Sequence, residues 1–340
     1  MTNNAFGIDL GTSNIRIYEL SSDQIHVQKN MIAIANKKEL FAYGDSAYDM
    51  YEKAPGNISI TYPLNNGVIA DINNMETILR YYVNDITKGQ GSRQADYYVA
   101  VPTDITDVEK RAFYDLITDS KLKARKVMTV EKALADGLGQ GIDVKTSQGV
   151  MVVDVGFDTT EISILSLGGI VLSRLIKMGG GKFDESIRAC VRKEMGLLIG
   201  LKTAEQVKMA LKELLSTGRN AIVYGRDIVT GLPVERELPT DMMEECLQEN
   251  FNAIIDNVKQ ILERTPPELS ADIFRNGIFL TGGASDVADF TLALTAGTQL
   301  KVNVSEEPIK SVALGLSRII KDENFRSLAK SAEDVRQPLA

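Results

Sequence analysis

The chain has 340 residues, enough for two lobes of ordinary size, and its 44% apolar and 25% charged composition suits a protein with a real buried core. A net charge of -8 and a pI of about 5.0 exclude a basic nucleic-acid face and adsorption to an acidic membrane by charge alone. There is no apolar run of about 18 residues to span a membrane and no signal-peptide pattern in Met1–Asn4, so the expected location is the cytoplasm.

In chain order, Phe6, Ile8 and Leu10 alternate into Gly11-Thr12-Ser13-Asn14, and Ile15 and Ile17 alternate out of it. That pattern predicts a β-hairpin whose tip carries hydroxyl and amide side chains. The single histidine, His26, lies in the alternating stretch Ile25–Val27. With two cysteines, Cys190 and Cys246, and no CxxC, it leaves no zinc site. Both cysteines read as packing residues. Without a GxSxG elsewhere, a hydrolase built on His26 is discounted.

Thr106-Asp107-Val108-Glu109 reads as a capping box opening a helix with Val108, Ala112, Leu116 and Ile117 on its buried face. Val150–Val155 then repeats the early plan: a buried-type strand, the turn Gly156-Phe157-Asp158-Thr159-Thr160, and returning strands from Glu161 to Leu167 and from Ile170 to Ile176. Helical stripes follow at Phe183, Ile187, Val191 and Met195, and at Val207, Leu211, Leu214 and Leu215. The longest runs from Thr240 to Ile261 and stops at Pro266-Pro267. Ile278–Leu280 leads into Thr281-Gly282-Gly283-Ala284-Ser285, which reads as the opening of a helix. From Lys321 the chain is polar, and a frayed tail is expected. Strands, helices and a second hairpin in this order imply an α/β fold in two related halves.

Asp9 and Asp154 each sit between apolar residues just before a glycine, about half the chain apart. An aspartate in a buried strand carries a desolvation penalty, so finding it twice in one context points to a duplicated unit with a chemical task. Glycine lets backbone N–H groups approach phosphate oxygens, and Thr12, Ser13 and Asn14 add donors. Gly156, Asp158, Thr159 and Thr160 would close on the phosphates from the other side, with Asp9 and Asp154 placed to hold Mg²⁺ through water. No GxxxxGK[ST] occurs, and no GxGxxG follows the first strand.

Three further segments fit the rest of a nucleotide. Gly282, Gly283, Ala284 and Ser285 could support a base or ribose. Glu205 and Lys208, three apart on a helix, could grip ribose hydroxyls and the base edge. Gly180, in the run Met178–Asp184, could face the cleft. Each has a plain structural reading as well: a hairpin turn, a helix cap, or a surface ion pair contributing under about 1 kcal/mol.

Several of these landmarks coincide with one family. Ile8–Asn14, the Asp154 turn, Ser166–Val171, Thr203–Lys208, Thr230-Gly231-Leu232-Pro233, Thr265–Leu269 and Leu280–Gly283 occur in order over residues 5 to about 320. The chain thereby resembles the bacterial rod-shape actin family MreB. The resemblance implies an α/β actin-like ATPase fold: two duplicated ribonuclease-H-like lobes with an interlobe cleft for ATP or ADP and Mg²⁺. It suggests a first lobe at 1–145 with an inserted subdomain at about 32–75, a second at 146–320 with an insertion at about 182–250, and a tail at 321–340. It also implies homopolymeric filaments that organise cell-wall elongation. Membrane proteins of that machinery would be partners at the inner face of the membrane.

Departures from the family matter. The family reads Glu-Glu-Pro where this chain has Glu131-Lys132-Ala133, and the second glutamate is taken to position the attacking water. Lys132 cannot accept a proton from that water, and loss of a positioned base lowers a rate about 10²–10⁴-fold. Phe157 and Asp158 replace glycines. Glu131 and Asp158 remain the catalytic candidates, and slow hydrolysis with retained binding is expected. The loop Gly89–Gln94 has no large apolar residue, which speaks against direct lipid binding. A slow or non-hydrolysing scaffold co-assembling with a conventional paralogue is the alternative. A sugar-kinase-type phosphotransferase lacks an evident catalytic aspartate, and a chaperone ATPase would need a peptide-binding domain.

Overall fold

The computed structural model describes residues 4–88 and 94–331. β1 (Ala5–Leu10), β2 (Asn14–Glu19) and β3 (Gln24–Lys29) form an antiparallel meander, with β1 buried along its whole length. β4 (Ile32–Ala35), β5 (Glu39–Tyr43), helix α1 (Asp45–Met50) and β6 (Ile58–Thr61) follow as a small unit with strand order β5-β4-β6. The ribbon β7 (Leu64–Asn65) and β8 (Val68–Ile69) leads to α2 (Ile72–Ile86). β9 (Ala95–Val101), α3 (Asp107–Thr118) and β10 (Ala124–Glu131) then add two parallel strands beside β1, and α4 (Lys132–Gly139) leaves the sheet.

The second half repeats the plan. β11 (Val150–Val155), β12 (Thr160–Ser166) and β13 (Gly169–Ile176) form a meander, followed by α5 (Gly180–Met195). β14 (Leu197–Leu198), α6 (Leu201–Thr217), β15 (Ala221–Asp227) and β16 (Pro233–Leu238) supply an inserted three-stranded sheet. The long helix α7 (Thr240–Arg264) and α8 (Pro267–Asn276) return the chain to the main sheet. There β17 (Ile278–Thr281), α9 (Phe290–Thr298) and β18 (Val302–Val304) place two parallel strands beside β11. The orders β10-β9-β1-β2-β3 and β18-β17-β11-β12-β13 are the same arrangement. β1 and β11 are buried along their whole length, and β11 reads accordingly as a near-continuous apolar run.

The halves join through α10 (Ser311–Lys321), which packs on α4 and also on β1, β2 and β9, while α4 packs on β11 and β12. This crossing is close because two glycines face backbone. A Cβ on Gly139 would lie 1.9 Å from the Ser311 carbonyl oxygen, and one on Gly315 would lie 1.8 Å from that of Ala135. One core lies under the first sheet around Phe6, Ile8 and Phe113. A second lies under the other sheet around Phe183, Phe251 and Phe290. A third, with Leu134, Leu138 and Leu316, lies between them.

Three expectations need correction. The capping box at Thr106 and Glu109 forms, but Val108 is exposed, and Phe113 anchors the helix beside Leu116 and Ile117. Gly282 and Gly283 do not open a helix; turns carry the chain to α9 at Phe290. The segment after Lys321 is not frayed as far as Ser331. A 3₁₀ helix (Glu323–Leu328) and a short strand β19 (Ala329–Lys330) pair back onto β10. Residues 332–340, Met1–Asn3 and Gly89–Arg93 of the loop considered for lipid contact lie outside the described residues.

Candidate functional site

The hairpin register places the first aspartate. Asp9 lies directly across from Arg16, and Arg16 Nη1 bonds its Oδ2 at 2.8 Å. Gly11 N–H donates to the Asn14 carbonyl at 3.1 Å, and the Asn30 side chain donates to the Gly11 carbonyl at 3.0 Å, so the turn is held from both ends. A Cβ on Gly11 would meet the Asn14 carbonyl at 2.8 Å. Asn14 Nδ2 and Lys29 Nζ both donate to Ser13 Oγ, at 3.3 and 3.4 Å. A cluster of donors thus gathers at the tip of one hairpin.

The second turn mirrors this backbone, with Gly156 N–H on the Thr159 carbonyl at 2.9 Å. Its charge pairing differs. Across the strand from Asp154 stands Glu161, an acid where the first hairpin has Arg16. The cation comes instead from α4: Lys132 Nζ is ion-paired with Asp154 Oδ2. Burial works against that ammonium, but Asp154, Asp9, Asp136 and Glu161 outweigh it and hold Lys132 above the ordinary lysine value. Burial pushes Glu161 up to about 7, partly offset by Lys132 and by bonding to Thr103. Burial also raises Asp136, whose Oδ1 accepts the Ser311 hydroxyl at 2.6 Å.

The two turns meet across the cleft. Asp158 accepts from the Asn66 N–H at 2.9 Å, and the Thr12 side chain lies beside its carboxyl. Beside it the Phe157 ring packs 5.6 Å from that of Tyr62. Phe157 and Asp158, which add bulk and charge to a glycine-type turn, therefore work as contacts between the halves.

A second set of contacts ties α1 to α6. The Tyr48 hydroxyl donates to Glu205, Lys29 Nζ lies 3.3 Å from Glu205, and Lys29 and Lys202 stand 4.2 and 4.1 Å from the Tyr48 ring centroid. Glu52 accepts the Leu201 N–H at 3.2 Å, capping α6 from the other half. Burial disfavours the Glu205 charge, but the Tyr48 hydroxyl and the Lys29 and Lys208 ammoniums hold it below its usual value. A cavity of about 280 Å³ lies here, lined in part by Tyr48, Tyr62, Phe157, Asp158 and Glu205.

The remaining candidates divide. Gly180, Ala284 and Lys208 come together: a Cβ on Gly180 would lie 3.1 Å from both Ala284 Cβ and Lys208 Nζ. Lys208 is buried, however, and its ammonium bonds the Gly180 carbonyl at 2.9 Å and Asp184 at 2.8 Å. It holds the start of α5 and lies close enough to Glu205 to favour its charge. Thr160 donates inward to the Met178 carbonyl at 2.8 Å, and Ser285 to the Gly282 carbonyl at 2.7 Å. Gly282, at φ +94°, presses on the second aspartate: a Cβ there would lie 2.2 Å from Asp154 Oδ1. Glu131 Oε1 pairs with Lys110 at 3.2 Å while its Oε2 is buried without a hydrogen-bond partner, and Asp158 is engaged as described. Cys190 and Cys246 sit side by side between α5 and α7 as free thiols that burial raises, in keeping with packing residues.

A Mg²⁺ shared by Asp9 and Asp154 does not fit this donor set. Each carboxylate already carries a cation of the chain, and Gly282 closes on the other oxygen of Asp154. Among the described residues, no group of three or more His, Cys, Asp or Glu is disposed to hold a metal. Arg16, Lys29, Tyr48, Glu52, Asp136 and Glu161 join the site without having stood out in the sequence. Arg16 was within reach, because pairing Leu10 with Ile15 sets Asp9 opposite Arg16.

The family model described as MreB/Mbl protein matches residues 3–327. The chain is 36% identical over 329 residues to the cell shape-determining protein Mbl of Bacillus cereus, covering 96% of this chain and 98% of that one. Its structure is similar to the crystal structure of MreB 5 of Spiroplasma citri bound to AMPPNP. That match has a TM-score of 0.88 and 33% identity, over 96% of this chain and 98% of the other. It is also similar to a chain of the MamK double helical filament, with a TM-score of 0.77 over 94% and 99% of the two chains. At 19% identity that likeness shows the shared actin-like fold alone.

Proposed function

The chain belongs to the MreB/Mbl family, and from that premise we propose that it binds ATP or ADP between its two hairpin turns and forms cytoskeletal filaments that help determine cell shape. The observation that carries the reading is the convergence of the duplicated turns. Gly11–Asn14 and Gly156–Thr160 sit at the ends of matched strands, and the Thr12 side chain of one turn lies beside the Asp158 carboxyl of the other. Relatives named for cell shape determination and a neighbour bound to AMPPNP support it. No helix among the described residues is long and apolar enough to cross a membrane. On this reading the filament lies in the cytoplasm and reaches the inner membrane face through elongation-machinery proteins.

Turnover should be slow. Lys132 stands where a water-positioning acid is expected, while Glu131 Oε1 is taken by Lys110 and Asp158 by the Asn66 N–H. The same features favour the second reading, a non-hydrolysing scaffold that co-assembles with a conventional paralogue. Mg²⁺ on Asp9 and Asp154 finds no support in the donor set. The test is electron microscopy of the purified chain with ATP and with ADP, alongside phosphate release. Filaments with phosphate release about 10²-fold or more below a conventional family member support slow turnover. Absence of both nucleotide binding and filaments would sink the reading.

A further inference from the structure

The duplicated hairpins differ in one respect that bears on how phosphates are neutralised. In the first, the acid Asp9 faces the cation Arg16 across the strand. In the second, the acid Asp154 faces another acid, Glu161. The missing cation arrives from α4 as Lys132, whose ammonium is ion-paired with Asp154 and has Asp9, Asp136 and Glu161 as further acidic neighbours. Resting on the nucleotide reading above, we infer that Lys132 supplies from within the chain the positive charge a divalent cation would bring to the phosphates. On this inference the cleft takes a nucleoside triphosphate without an obligatory metal.

Three observations carry this. Charge comes first: a triphosphate entering between the turns needs positive charge, and Lys132 is a cation tethered at the end of β11, just before the second turn. Space is the second. Mg²⁺ demands near-octahedral coordination at about 2.0–2.1 Å and keeps several waters. Lys132 occupies Asp154 Oδ2, and the Gly282 backbone lies against Oδ1, leaving the carboxylate no open side for a hydrated ion. Third, Asp9 is not free to compensate, because Arg16 bonds both its Oδ2 and, at 3.4 Å, the Asn14 carbonyl of the turn. A lysine is suited to the task as a compact point charge with three donors on a flexible stem. Asp154 acts as a positioning residue for that ammonium.

The experiment is equilibrium binding of ATP, ADP and adenosine to the full chain, in EDTA and again with MgCl₂. The wild type is expected to hold ATP within about threefold in the two buffers, and Lys132→Gln to lose about tenfold or more for ATP in EDTA while adenosine is little changed. A lysine that only holds Asp154 in place would weaken all three ligands alike, and that result would overturn the inference. So would a wild-type affinity for ATP that collapses in EDTA and returns with Mg²⁺. Should Lys132→Gln fail to fold, Mn²⁺ titrated into the wild-type ADP complex and followed by electron paramagnetic resonance decides. A Mn²⁺ affinity equal to that of ADP in solution supports the inference, and a clearly tighter one refutes it. Failure to bind ATP in either buffer would instead remove the nucleotide reading beneath it.

Discussion

Lys132, the first residue of α4, is ion-paired with Asp154 near the end of β11, whereas Asp9 at the matching place takes its cation from Arg16 across the hairpin. Asp154 is only 5% exposed, and Lys132 is the cation paired with it. Lys132→Met strands the carboxylate and should destabilise the fold by about 3–5 kcal/mol. Adding Asp154→Asn should recover most of the loss, because the stranded charge goes with it. Urea unfolding of the parent, the two single variants and the double variant measures the coupling. A Lys132→Met chain as stable as the parent would show the pair to be idle.

Glu161 makes stability depend on pH. Its folded value lies at about 7 against an ordinary 4.5, with burial as the main cause. As pH rises the unfolded chain releases this proton first, so stability falls between about 4.5 and 7 and is lost no further above that window. Glu161→Gln removes the titration while keeping the shape. At pH 8 the variant should be more stable than the parent by roughly 1–3 kcal/mol, and near pH 4 the difference should vanish. Thermal melts across this range check it; a constant offset at every pH would contradict the assignment.

The parts of the fold legible in the sequence are those set by short-range pattern. Period-two alternation marked the first hairpin, a continuous apolar run into Gly156 marked the second, and the repeated aspartate before glycine exposed the duplication that the two sheet orders bear out. What stayed hidden depends on contacts between distant segments. Tyr48 meets Glu205, and Glu52 meets the first N–H groups of α6, only because an element from each half reaches across the cleft. Asp136 finds Ser311 only through the crossing of α4 and α10. Spacing put Glu205 and Lys208 on one helical face, but it could not show that Lys208 turns inward to Asp184. The two-residue strand β19 is too short to leave a pattern.

The α1–α6 contacts should govern how fast ligand leaves. Tyr48→Phe deletes the hydroxyl given to Glu205 but keeps the ring between Lys29 and Lys202. A hydrogen bond to a charged group contributes about 1.5–3 kcal/mol when buried, and this partly open one should contribute about 1 kcal/mol. Release of a fluorescent ADP analogue should quicken about fivefold in stopped-flow measurements. Unchanged release would mean that the cleft opens without breaking this contact.

Gly282 offers the sharpest steric test, because it packs the turn after β17 against the second aspartate. Its φ of +94° is one that side chains rarely adopt, and an added Cβ would lie 2.2 Å from Asp154 Oδ1 and 2.4 Å from the Val155 carbonyl. Backbone cannot yield there without moving the end of β11, so Asp154 must swing away and loosen its hold on Lys132. Gly282→Ala should therefore destabilise the chain by about 3 kcal/mol, from backbone strain plus the disturbed ion pair. Gly283 is the internal control: the nearest atom to its Cβ position is Ile309 Cγ1 at 3.9 Å, so Gly283→Ala should stay within about 0.5 kcal/mol of the parent. Urea midpoints of the two variants separate the cases. Equal stabilities would mean that Gly282 does not press on Asp154, and the steric argument against a hydrated ion at that carboxylate would fall with it.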